Sequence, residues 1–397
     1  MSALLKTHGM DGTLVDPDWP PLTLAELRPL LRLYPALGEP THIVSVSPRP
    51  FSAAGVVATR KARVFIKRHH RAVRDREGLL EEHRFLLHLL ARGAPVPRVL
   101  VSAAGETAIE IGEWTYEVHE TPPGIDLYED AISWTPFRSS AHAHSAGAAL
   151  ACLHLASLDF TAPPRKPRPL VASFTIFAAK DFAQALRRYL AARPSLSAHK
   201  GVSACADQAL ELLAPFHSEL APLLPALPPL WTHNDLHASN LFWSDADPNA
   251  DLAAHATAVI DFGLADRTNA AHDIAHAIER NIVEWLVLVN DPAHPDGVPI
   301  HFDHLQALLD GYESVRPLSS EESAALAPMT ALCHAEFALS EADYFLSVLR
   351  AEEKAAMAYD GWLVGHARWF SSAPGGKLLD ALRHRAAAPR EQGAARP

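Results

Sequence analysis

Residues 42 to 119 alternate between apolar and polar side chains in the manner of β-strands, with one helical interruption. The alternation predicts five short strands, at residues 42–46, 55–59, 63–67, 107–111 and 115–119. Between the third and fourth strands, residues 79–91 carry leucines at helical spacing, and Gly93 ends that segment. Three strands, a helix and two further strands predict a small lobe built on an antiparallel sheet.

The chain changes to helical periodicity after residue 139. Apolar residues recur at helical spacing over residues 141–157, 173–192 and 202–224, and proline-rich stretches separate these segments. A shorter helix is predicted for residues 24–34, because Thr23 and Glu26 have the spacing of a capping box. The pattern therefore predicts a β-rich part followed by a larger helical part.

Composition is that of a globular enzyme. The chain has 397 residues, of which 48% are hydrophobic and 20% are charged. A formal net charge of −11 argues against general nucleic-acid binding. Residues 60–98 are the exception, with eleven Lys or Arg against four Asp or Glu. Such a basic stretch is typical of a solvated face and also suits a lobe that binds a polyphosphate.

The cysteines and the N-terminus indicate a cytoplasmic protein that does not enter membranes. Three widely spaced cysteines give no disulfide framework and no paired metal-ligand spacing. The N-terminus carries acids and prolines where a signal peptide has a basic and then an apolar stretch. No run of 18 residues is apolar and free of charge or proline.

Two short motifs carry the chemistry. Residues 231–243 read W-T-H-N-D-L-H-A-S-N-L-F-W, and residues 258–263 read A-V-I-D-F-G. Phosphoryl transfer needs a carboxylate to orient and deprotonate the attacking hydroxyl, and oxygen ligands to hold Mg²⁺ against the phosphates. Asp235 fits the first role, and Asn240 with Asp261 fits the second.

A hairpin between the motifs supports this assignment. Apolar runs at residues 241–243 and 258–260 flank a turn-rich segment at 244–249. Pairing the runs would bring Asn240 beside Asp261, so that two hard oxygen ligands converge on one cation. Two rival interpretations remain open: a capped strand end without chemistry, and a zinc site made by His233 and His237, which are four residues apart.

H-N-D-L-H-A-S-N and I-D-F-G resemble the catalytic loop and metal-binding motif of the aminoglycoside phosphotransferase and choline kinase family. The resemblance implies an α+β fold of the protein-kinase-like, bilobal type, with a small antiparallel N-lobe containing one helix and a larger, mainly helical C-lobe. It also implies a kinase that uses ATP, with GTP as the alternative, together with Mg²⁺ to phosphorylate a hydroxyl of a small molecule. We expect residues 1–40 to form an arm, 41–120 a nucleotide-binding N-lobe, 121–385 a C-lobe with the substrate pocket, and 386–397 a disordered tail.

The resemblance assigns further residues in the N-lobe. Lys67 ends the third strand and would pair with Glu82 of the following helix to hold the α- and β-phosphates. The loop that should cover the phosphates, residues 47–55, has one glycine and two prolines and lacks G-x-G-x-x-G. Each proline removes an N–H donor, so the side chains of Ser52 or Arg49 are candidates to replace backbone contacts.

The main chain of Glu120 or Thr121, at the hinge between the lobes, would bind the nucleotide base. In the catalytic loop, His233 would brace Asp235. Asp273 resembles the family aspartate that orients this loop through hydrogen bonds.

His154 is predicted to be a buried core residue. Glu336, Ser340 and Asp343 share one face of a predicted C-terminal helix at residues 329–349. We expect Glu336 and Asp343 either to meet a cationic acceptor or to form a solvated stripe.

Two alternatives to a small-molecule kinase stay open. One is a serine/threonine protein kinase of the bacterial stress-response type, although the chain contains no A-P-E and reaches Asp273 within ten residues of Gly263. The other is a catalytically silent protein that only binds nucleotide. The sequence leaves the acceptor and the oligomeric state undetermined.

Overall fold

The structure is a computed structural model that describes residues 6–171, 173–244, 255–292 and 294–388. Within these residues a β-rich N-lobe precedes a larger helical C-lobe, as the sequence predicted. Most of the predicted turn at 244–249 and of the predicted tail at 386–397 lies outside the described residues. The beginning of that tail is the end of the last helix, which runs to Ala387.

The N-lobe is an antiparallel sheet of five strands with two helices. Its elements are α1 (Leu24–Leu31), β3 (Pro40–Val46), β4 (Ala53–Thr59), β5 (Arg63–His70), α2 (Arg76–Ala91), β6 (Ala108–Ile111) and β7 (Trp114–Glu120), and two short strands, β1 (Thr7–His8) and β2 (Leu14–Val15), precede them. The strand order is β3-β4-β5-β7-β6. All five predicted strands are therefore confirmed, in the predicted order around the helix.

The two faces of this sheet have different partners because side chains alternate along each strand. One face is apolar and packs against α1, which begins with the predicted capping box of Thr23 and Glu26. The opposite face carries polar side chains at alternate positions of the two central strands. These residues are Lys67, His69, Glu117 and His119, and Lys67 is directly paired with Glu117.

The C-lobe contains the remaining elements. They are α3 (Ser140–Ser157), α4 (Phe182–Ala191), α5 (Pro194–Ser197), α6 (Lys200–Leu220), β8 (Pro229–Thr232), β9 (Leu241–Trp243), β10 (Ala256–Val259), β11 (Asp266–Asn269), α7 (Ala270–Ile282), α8 (Trp285–Asn290), α9 (Phe302–Val315), α10 (Ser320–Leu332), α11 (His334–Asp343), α12 (Glu352–Ala356), α13 (Gly365–Phe370) and α14 (Ala373–Ala387). Two π-helical segments, Tyr344–Leu349 and Met357–Val364, flank α12. None of the helices in the described ranges has the length and apolar character needed to cross a membrane.

Several predicted elements have different bounds in the structure. The helix predicted at 173–192 begins only at Phe182, because the backbone N–H groups of Thr175 and Ile176 donate to the carboxylate of Glu336 and not to a helical ladder. The helix predicted at 329–349 is divided between α10, α11 and a π-helical turn. The β1–β2 hairpin was not predicted, since strands of two residues have no detectable periodicity.

Helices α3 and α9 pack closely through two glycines. A β-carbon added at Gly147 would lie 1.9 Å from the carbonyl oxygen of Leu308, and one added at Gly311 would lie 1.9 Å from that of His144. Only a residue without a side chain permits this approach of two backbones. The pair of glycines fixes α3 against α9.

We predict that Gly147→Ala lowers the free energy of unfolding by about 3 kcal/mol, because the new methyl group overlaps a backbone atom that cannot move alone. Urea-induced unfolding measures the change. Gly376→Ala is the matched control: this glycine lies inside α14 with open space around it, so alanine should raise stability by about 0.5–1 kcal/mol. Equal stability of the Gly147 variant and the native chain would contradict the close packing.

Candidate active site

One cavity between the lobes brings together the central residues of the sequence motifs. Its lining includes Arg49, Ser52 and Lys67 from the N-lobe and Asp235, Asn240 and Asp261 from the C-lobe. Residues of the N-terminal arm, His8 to Met10, also border it. The predicted base and metal ligands are thus neighbours in three dimensions.

Asp273 of α7 fixes the loop that carries Asp235. One carboxylate oxygen of Asp273 accepts from the backbone N–H of His233 at 2.8 Å, and the other accepts from that of Asn234 at 2.7 Å. Asn234 has a φ of +62°, a strained left-handed conformation that these two bonds help to hold. The predicted hydrogen bonding of Asp273 to this loop is confirmed.

His154 supports Asp273 from the core of the C-lobe. Its Nε2 lies 3.0 Å from the Asp273 carboxylate, and its Nδ1 lies 2.7 Å from the hydroxyl of Tyr312. The imidazole is fully buried. His154 is therefore a hydrogen-bonded core histidine, as predicted.

His233 connects the loop to the strand that leads to Asp261. Its Nε2 lies 2.9 Å from the carbonyl oxygen of Ile260, and its Nδ1 accepts from the N–H of Asp235 at 3.2 Å. Both ring nitrogens thus have main-chain partners, which leaves no lone pair for a metal. The geometry favours the predicted bracing contact and argues against a zinc site formed with His237.

The carboxylate of Asp235 projects into the cavity, with two hydrogen-bond partners and with Nε2 of His237 3.8 Å from one oxygen. Nε of Arg280 lies 3.1 Å from one oxygen, and the amide nitrogen of Asn240 lies 3.4 Å from the other. Burial raises the pKa of Asp235 to about 6, although the positive charge of Arg280 acts in the opposite direction. The group is consequently ionised at neutral pH but more basic than an ordinary aspartate.

The hairpin of β9 and β10 brings Asn240 and Asp261 together. The N–H of Ile260 donates to the carbonyl of Asn240 at 2.9 Å, as the sequence predicted for paired strands. The side-chain amide of Asn240 donates to the carbonyl of Asp235 at 2.9 Å, so its side-chain oxygen remains available to a cation. Burial alone would raise the pKa of Asp261, but the adjacent Lys67 outweighs it and holds that pKa below its ordinary value.

Lys67 lies in the cavity, but its partner differs from the prediction. Its Nζ lies 2.8 Å from Asp261, and no ion pair joins it to Glu82 in the described structure. Glu82 is buried and faces Arg165 at 3.8 Å. Arg165 also donates to the carbonyl of Gly263 at 2.9 Å, so it ties α2 to the loop after Asp261. The expected Lys67–Glu82 ion pair is therefore not formed in this conformation, in which Arg165 lies beside Glu82. The role of Lys67 and Glu82 at the phosphates stays a prediction.

The glycine-poor loop between β3 and β4 contacts the C-lobe through side chains. Arg49 donates to the hydroxyl of Ser133 at 2.9 Å and lies 3.1 Å from Nδ1 of His8. Phe51 packs edge-to-face against Tyr344, with 5.3 Å between the ring centroids. Ser52 is buried at the cavity. The loop therefore presents Arg49 and Ser52 to the site, in line with the side-chain substitution that the sequence suggested.

Glu120 and Thr121 are not part of the cavity lining. Both side chains are exposed, and Glu120 lies 3.6 Å from Arg98. Glu120 ends β7, where its backbone N–H donates to the carbonyl of Arg98 at 2.9 Å. A role for these two residues in base binding stays a prediction.

Glu336 and Asp343 are buried and so do not form the predicted solvated stripe, and their positions give no support to the predicted contact with an acceptor. Glu336 is buried and accepts from the N–H groups of Thr175 and Ile176, and Asp343 accepts from the hydroxyl of Ser195. Neither residue lines the cavity. These two acids lie on the face of α11 that contacts α5 and the segment before α4.

The face of α11 that borders the cavity carries Phe337 and Glu341, four residues apart. Glu341 is 1% exposed, and one of its carboxylate oxygens has no hydrogen-bond partner among the described residues. Burial raises the pKa of Glu341 to about 8. No signal in the sequence separates this glutamate from Glu336, because the orientation of α11 depends on packing.

Arg280 was not identified from the sequence, although its spacing from Asp273 on the same helix indicates its position. It follows Asp273 by seven residues on α7, and the same helical face continues to Asn281, which donates to the carbonyl of Leu236 at 2.8 Å. Arg280 is 1% exposed and also pairs with Glu279 at 3.3 Å. Helical spacing from Asp273 identifies both residues as neighbours of the catalytic loop.

The protein has a small antiparallel lobe and a helical lobe. The cleft between them holds a carboxylate that can act as a base and two oxygen ligands for a metal. This combination defines a phosphotransferase with the protein-kinase-like fold. The chain belongs to the phosphotransferase enzyme family, whose family model matches residues 53–318. It is accordingly a phosphotransferase of the kind that acts on hydroxyl groups of small molecules. No curated protein matches the chain in sequence.

Solved structures share the fold at low sequence identity. A microcompartment-associated aminopropanol kinase is 17% identical with a TM-score of 0.58, and the alignment covers 92% of this chain and 100% of the other. The aminoglycoside phosphotransferase APH(4)-Ia is also 17% identical with a TM-score of 0.51, covering 87% and 98%. A spectinomycin phosphotransferase, APH(9)-Ia, in complex with ADP and spectinomycin is 11% identical with a TM-score of 0.50, covering 88% and 98%.

We predict that Arg280→Met raises the pKa of Asp235 above the native value near 6, because removing the guanidinium deletes the charge that favours the carboxylate. The carboxyl ¹³C signal of labelled aspartate, assigned by its loss in Asp235→Asn, reports the titration. Arg280→Lys keeps the charge and should leave the pKa closer to the native value. A pKa that is unchanged or lowered in the methionine variant would show that Arg280 does not stabilise the ionised form.

Proposed function

We propose that the protein is an ATP- and Mg²⁺-dependent kinase that phosphorylates a hydroxyl group of a small, amine-bearing molecule. The observation that carries this proposal is the convergence of Lys67, Asp235, Asn240 and Asp261 on one cavity. Each supplies a function that phosphoryl transfer needs: charge for the phosphates, a base, and two oxygen ligands. The family assignment supports the same chemistry.

The donor set fits magnesium bound to a nucleotide. Asp261 is held in its ionised form, and the free side-chain oxygen of Asn240 is the second hard ligand. Lys67, which now pairs with Asp261 at 2.8 Å, would hold the phosphates, and Arg49 and Ser52 would contact them from the loop above. When bound, MgATP would supply the phosphoryl group that is transferred.

Asp235 accepts the proton of the acceptor hydroxyl in this mechanism. A pKa near 6 makes its carboxylate a stronger base than an ordinary aspartate, yet one that is still ionised at pH 7. Arg280 orients one carboxylate oxygen, and Asn240 approaches the other. His233 holds the N–H of Asp235 in place, which aims the side chain at the cavity.

Glu341 supports an acceptor that carries an ammonium group. Its carboxyl is buried at the cavity with one oxygen unpartnered among the described residues, and a pKa of about 8 leaves it largely protonated at pH 7 while no cation is bound. An ammonium group there would lower that pKa and form a charge-assisted hydrogen bond with the ionised carboxylate. The charges of Arg280, Asp235 and Glu279 act on this carboxyl as well. The cavity is otherwise partly apolar, and its lining includes Met10, Ile132, Trp134, Leu286 and Phe337.

The local geometry disfavours a protein kinase. β11 begins three residues after Gly263, and α7 follows it directly, so there is no long segment in this part of the chain to support a peptide. The arm residues His8 to Met10 border the cavity as well. A catalytically silent protein is disfavoured because base and metal ligands are both retained, and turnover decides this question.

The proposal predicts separate losses for two conservative variants. Asp235→Asn should abolish phosphorylation while leaving MgATP affinity within a few-fold, since this carboxylate acts on the acceptor. Asp261→Asn should remove the Mg²⁺-dependent part of nucleotide binding, because a charged ligand is lost. Nucleotide consumption with amino alcohols and aminoglycosides as acceptors, and thermal-shift titration with MgATP, measure the two effects.

Asp207→Asn is the control, because Asp207 is exposed on α6 away from the cavity. It should match the native chain in both assays. An Asp235→Asn variant that kept more than about a tenth of native turnover would exclude the general-base role. Unchanged stabilisation of Asp261→Asn by MgATP would exclude the metal role.

We predict that Glu341→Gln raises the KM of an amino alcohol by roughly ten- to a hundredfold, the loss expected for one charge-assisted hydrogen bond. The KM of ATP should not change. Aminopropanol is compared with propanediol, which has the same skeleton without the amine and should be indifferent to the substitution. Asp343→Asn is the matched control, since Asp343 lies on the same helix but outside the cavity. An equal change in the KM of aminopropanol and of propanediol would show that Glu341 does not recognise the amine.

A further inference from the structure

A second group of metal-ligating side chains lies inside the N-lobe, on the sheet face that also carries Lys67. His69 comes from β5, His83 from α2, and Glu117 and His119 from β7. All four residues are buried, with at most 7% of any of them exposed. None of the assigned roles in phosphoryl transfer uses them.

The three imidazoles converge on a single carboxylate. The Nε2 atoms of His69, His83 and His119 lie 3.0, 2.9 and 2.8 Å from the oxygens of Glu117. The ligand atoms of His83, Glu117 and His119 are all within 4.8 Å of one another. His69 approaches the other oxygen of the same carboxylate. Two nitrogens and a carboxylate oxygen therefore surround one small volume, and His69 flanks it at the other oxygen of Glu117.

Regular secondary structure positions this group, and no flexible loop contributes to it. Glu117 and His119 are two residues apart on β7 and so point to the same face, and Lys67 and His69 do the same on β5. His83 reaches the group from α2, which covers that face. Ligands on two strands and a helix keep their separation with little cost in ordering.

Thr107 completes the arrangement. Its hydroxyl lies 2.9 Å from Nδ1 of His83. A hydroxyl both donates and accepts, so it can serve His83 with the proton on either ring nitrogen. When Nε2 gives its lone pair to a metal, the proton moves to Nδ1 and donates to the oxygen of Thr107. Metal-bound histidines commonly have such a partner on the other ring nitrogen.

We propose that this cluster binds one divalent transition-metal ion of the zinc class, with His83, His119 and Glu117 as ligands and His69 as the fourth. Imidazole nitrogen with one carboxylate is a donor set for zinc and its neighbours, whereas Mg²⁺ prefers oxygen ligands. The site is therefore distinct in chemistry from the Asn240–Asp261 pair. It needs no open channel, because ligands from three elements can enclose the ion as the lobe folds.

A bound ion would cross-link the secondary-structure elements of the N-lobe. It joins α2 to the two central strands of the sheet, and Glu117 is directly opposite Lys67 in the pairing of those strands. His69 borders the active-site cavity as well. Metal binding should thus stabilise the lobe and hold the strand that carries the phosphate-binding lysine, without taking part in phosphoryl transfer.

Cobalt(II) is the probe, because it replaces zinc and absorbs visible light according to its ligands. The full-length chain is unfolded in the presence of a chelator and refolded with Co²⁺, and refolding with Zn²⁺ also present should abolish the signal. We expect one ion per chain at the cluster, together with a rise in the midpoint of thermal unfolding on metal addition. Because the readout is binding, the result does not depend on whether the kinase proposal is correct.

Variants that keep the hydrogen bonds distinguish a metal site from a hydrogen-bonded cluster. His83→Gln and His119→Gln retain an N–H donor for Glu117 but remove a ligand, so each should weaken Co²⁺ binding at least about tenfold. Thr107→Val keeps all four ligands and should weaken binding about tenfold through loss of the second contact to His83. His88→Gln, on the same helix but bonded to the carbonyl of Ala156, is the control and should bind normally.

Absence of stoichiometric Co²⁺ binding, or affinity of His119→Gln and Thr107→Val equal to that of the native chain, would overturn the proposal. Circular dichroism of each metal-free variant separates loss of binding from loss of folding. A second group, His301, Asp303 and His304, also has ligands near one another but is partly exposed. A signal that disappears in His304→Gln and persists in His119→Gln would assign the metal to that group and likewise overturn the proposal.

Discussion

The active site depends on the buried carboxylate of Asp273. It accepts two backbone N–H groups of the catalytic loop and a contact from His154, so it fixes a strained backbone that would otherwise relax. Burying an ionised carboxylate is unfavourable unless its oxygens are satisfied, and here several donors satisfy them. The same helix then places Arg280 against Asp235 and Asn281 against the loop backbone. Helix α7 is consequently the element from which the catalytic geometry is built.

Charge balance in the cleft follows from that arrangement. Lys67 neutralises Asp261 and keeps it ionised, whereas Arg280 is shared between Asp235 and Glu279. Burial therefore prevails at Asp235 and raises its pKa to about 6. Two aspartates in one cavity thus acquire different properties, one suited to a cation and the other to a proton. Their neighbours, and not their own chemistry, produce this difference.

The loop between β3 and β4 contacts the C-lobe through its side chains. Many phosphate-binding loops are instead rich in glycine and bind through their backbone. Arg49 reaches Ser133 and His8, and Phe51 packs on Tyr344, so the loop is anchored to the C-lobe. The two prolines of this loop lack a backbone N–H donor. The side chains of Arg49 and Ser52 line the cavity and supply polar groups in their place. The N-terminal arm becomes part of the same surface through His8.

The features that depend on local geometry could be predicted from the sequence. The five strands, the capping box at Thr23, and the loop and hairpin that unite Asp235, Asn240 and Asp261 all depend on short separations along the chain, where alternation and turn residues are informative. Packing of the folded chain determines which face of α11 borders the cavity, and it places Glu341 there and Glu336 elsewhere. It also decided that Lys67 pairs with Asp261 while Arg165 faces Glu82, and that three histidines from separate elements surround Glu117. These features depend on the rotation of helices and on contacts between distant segments, and packing of the whole chain fixes both.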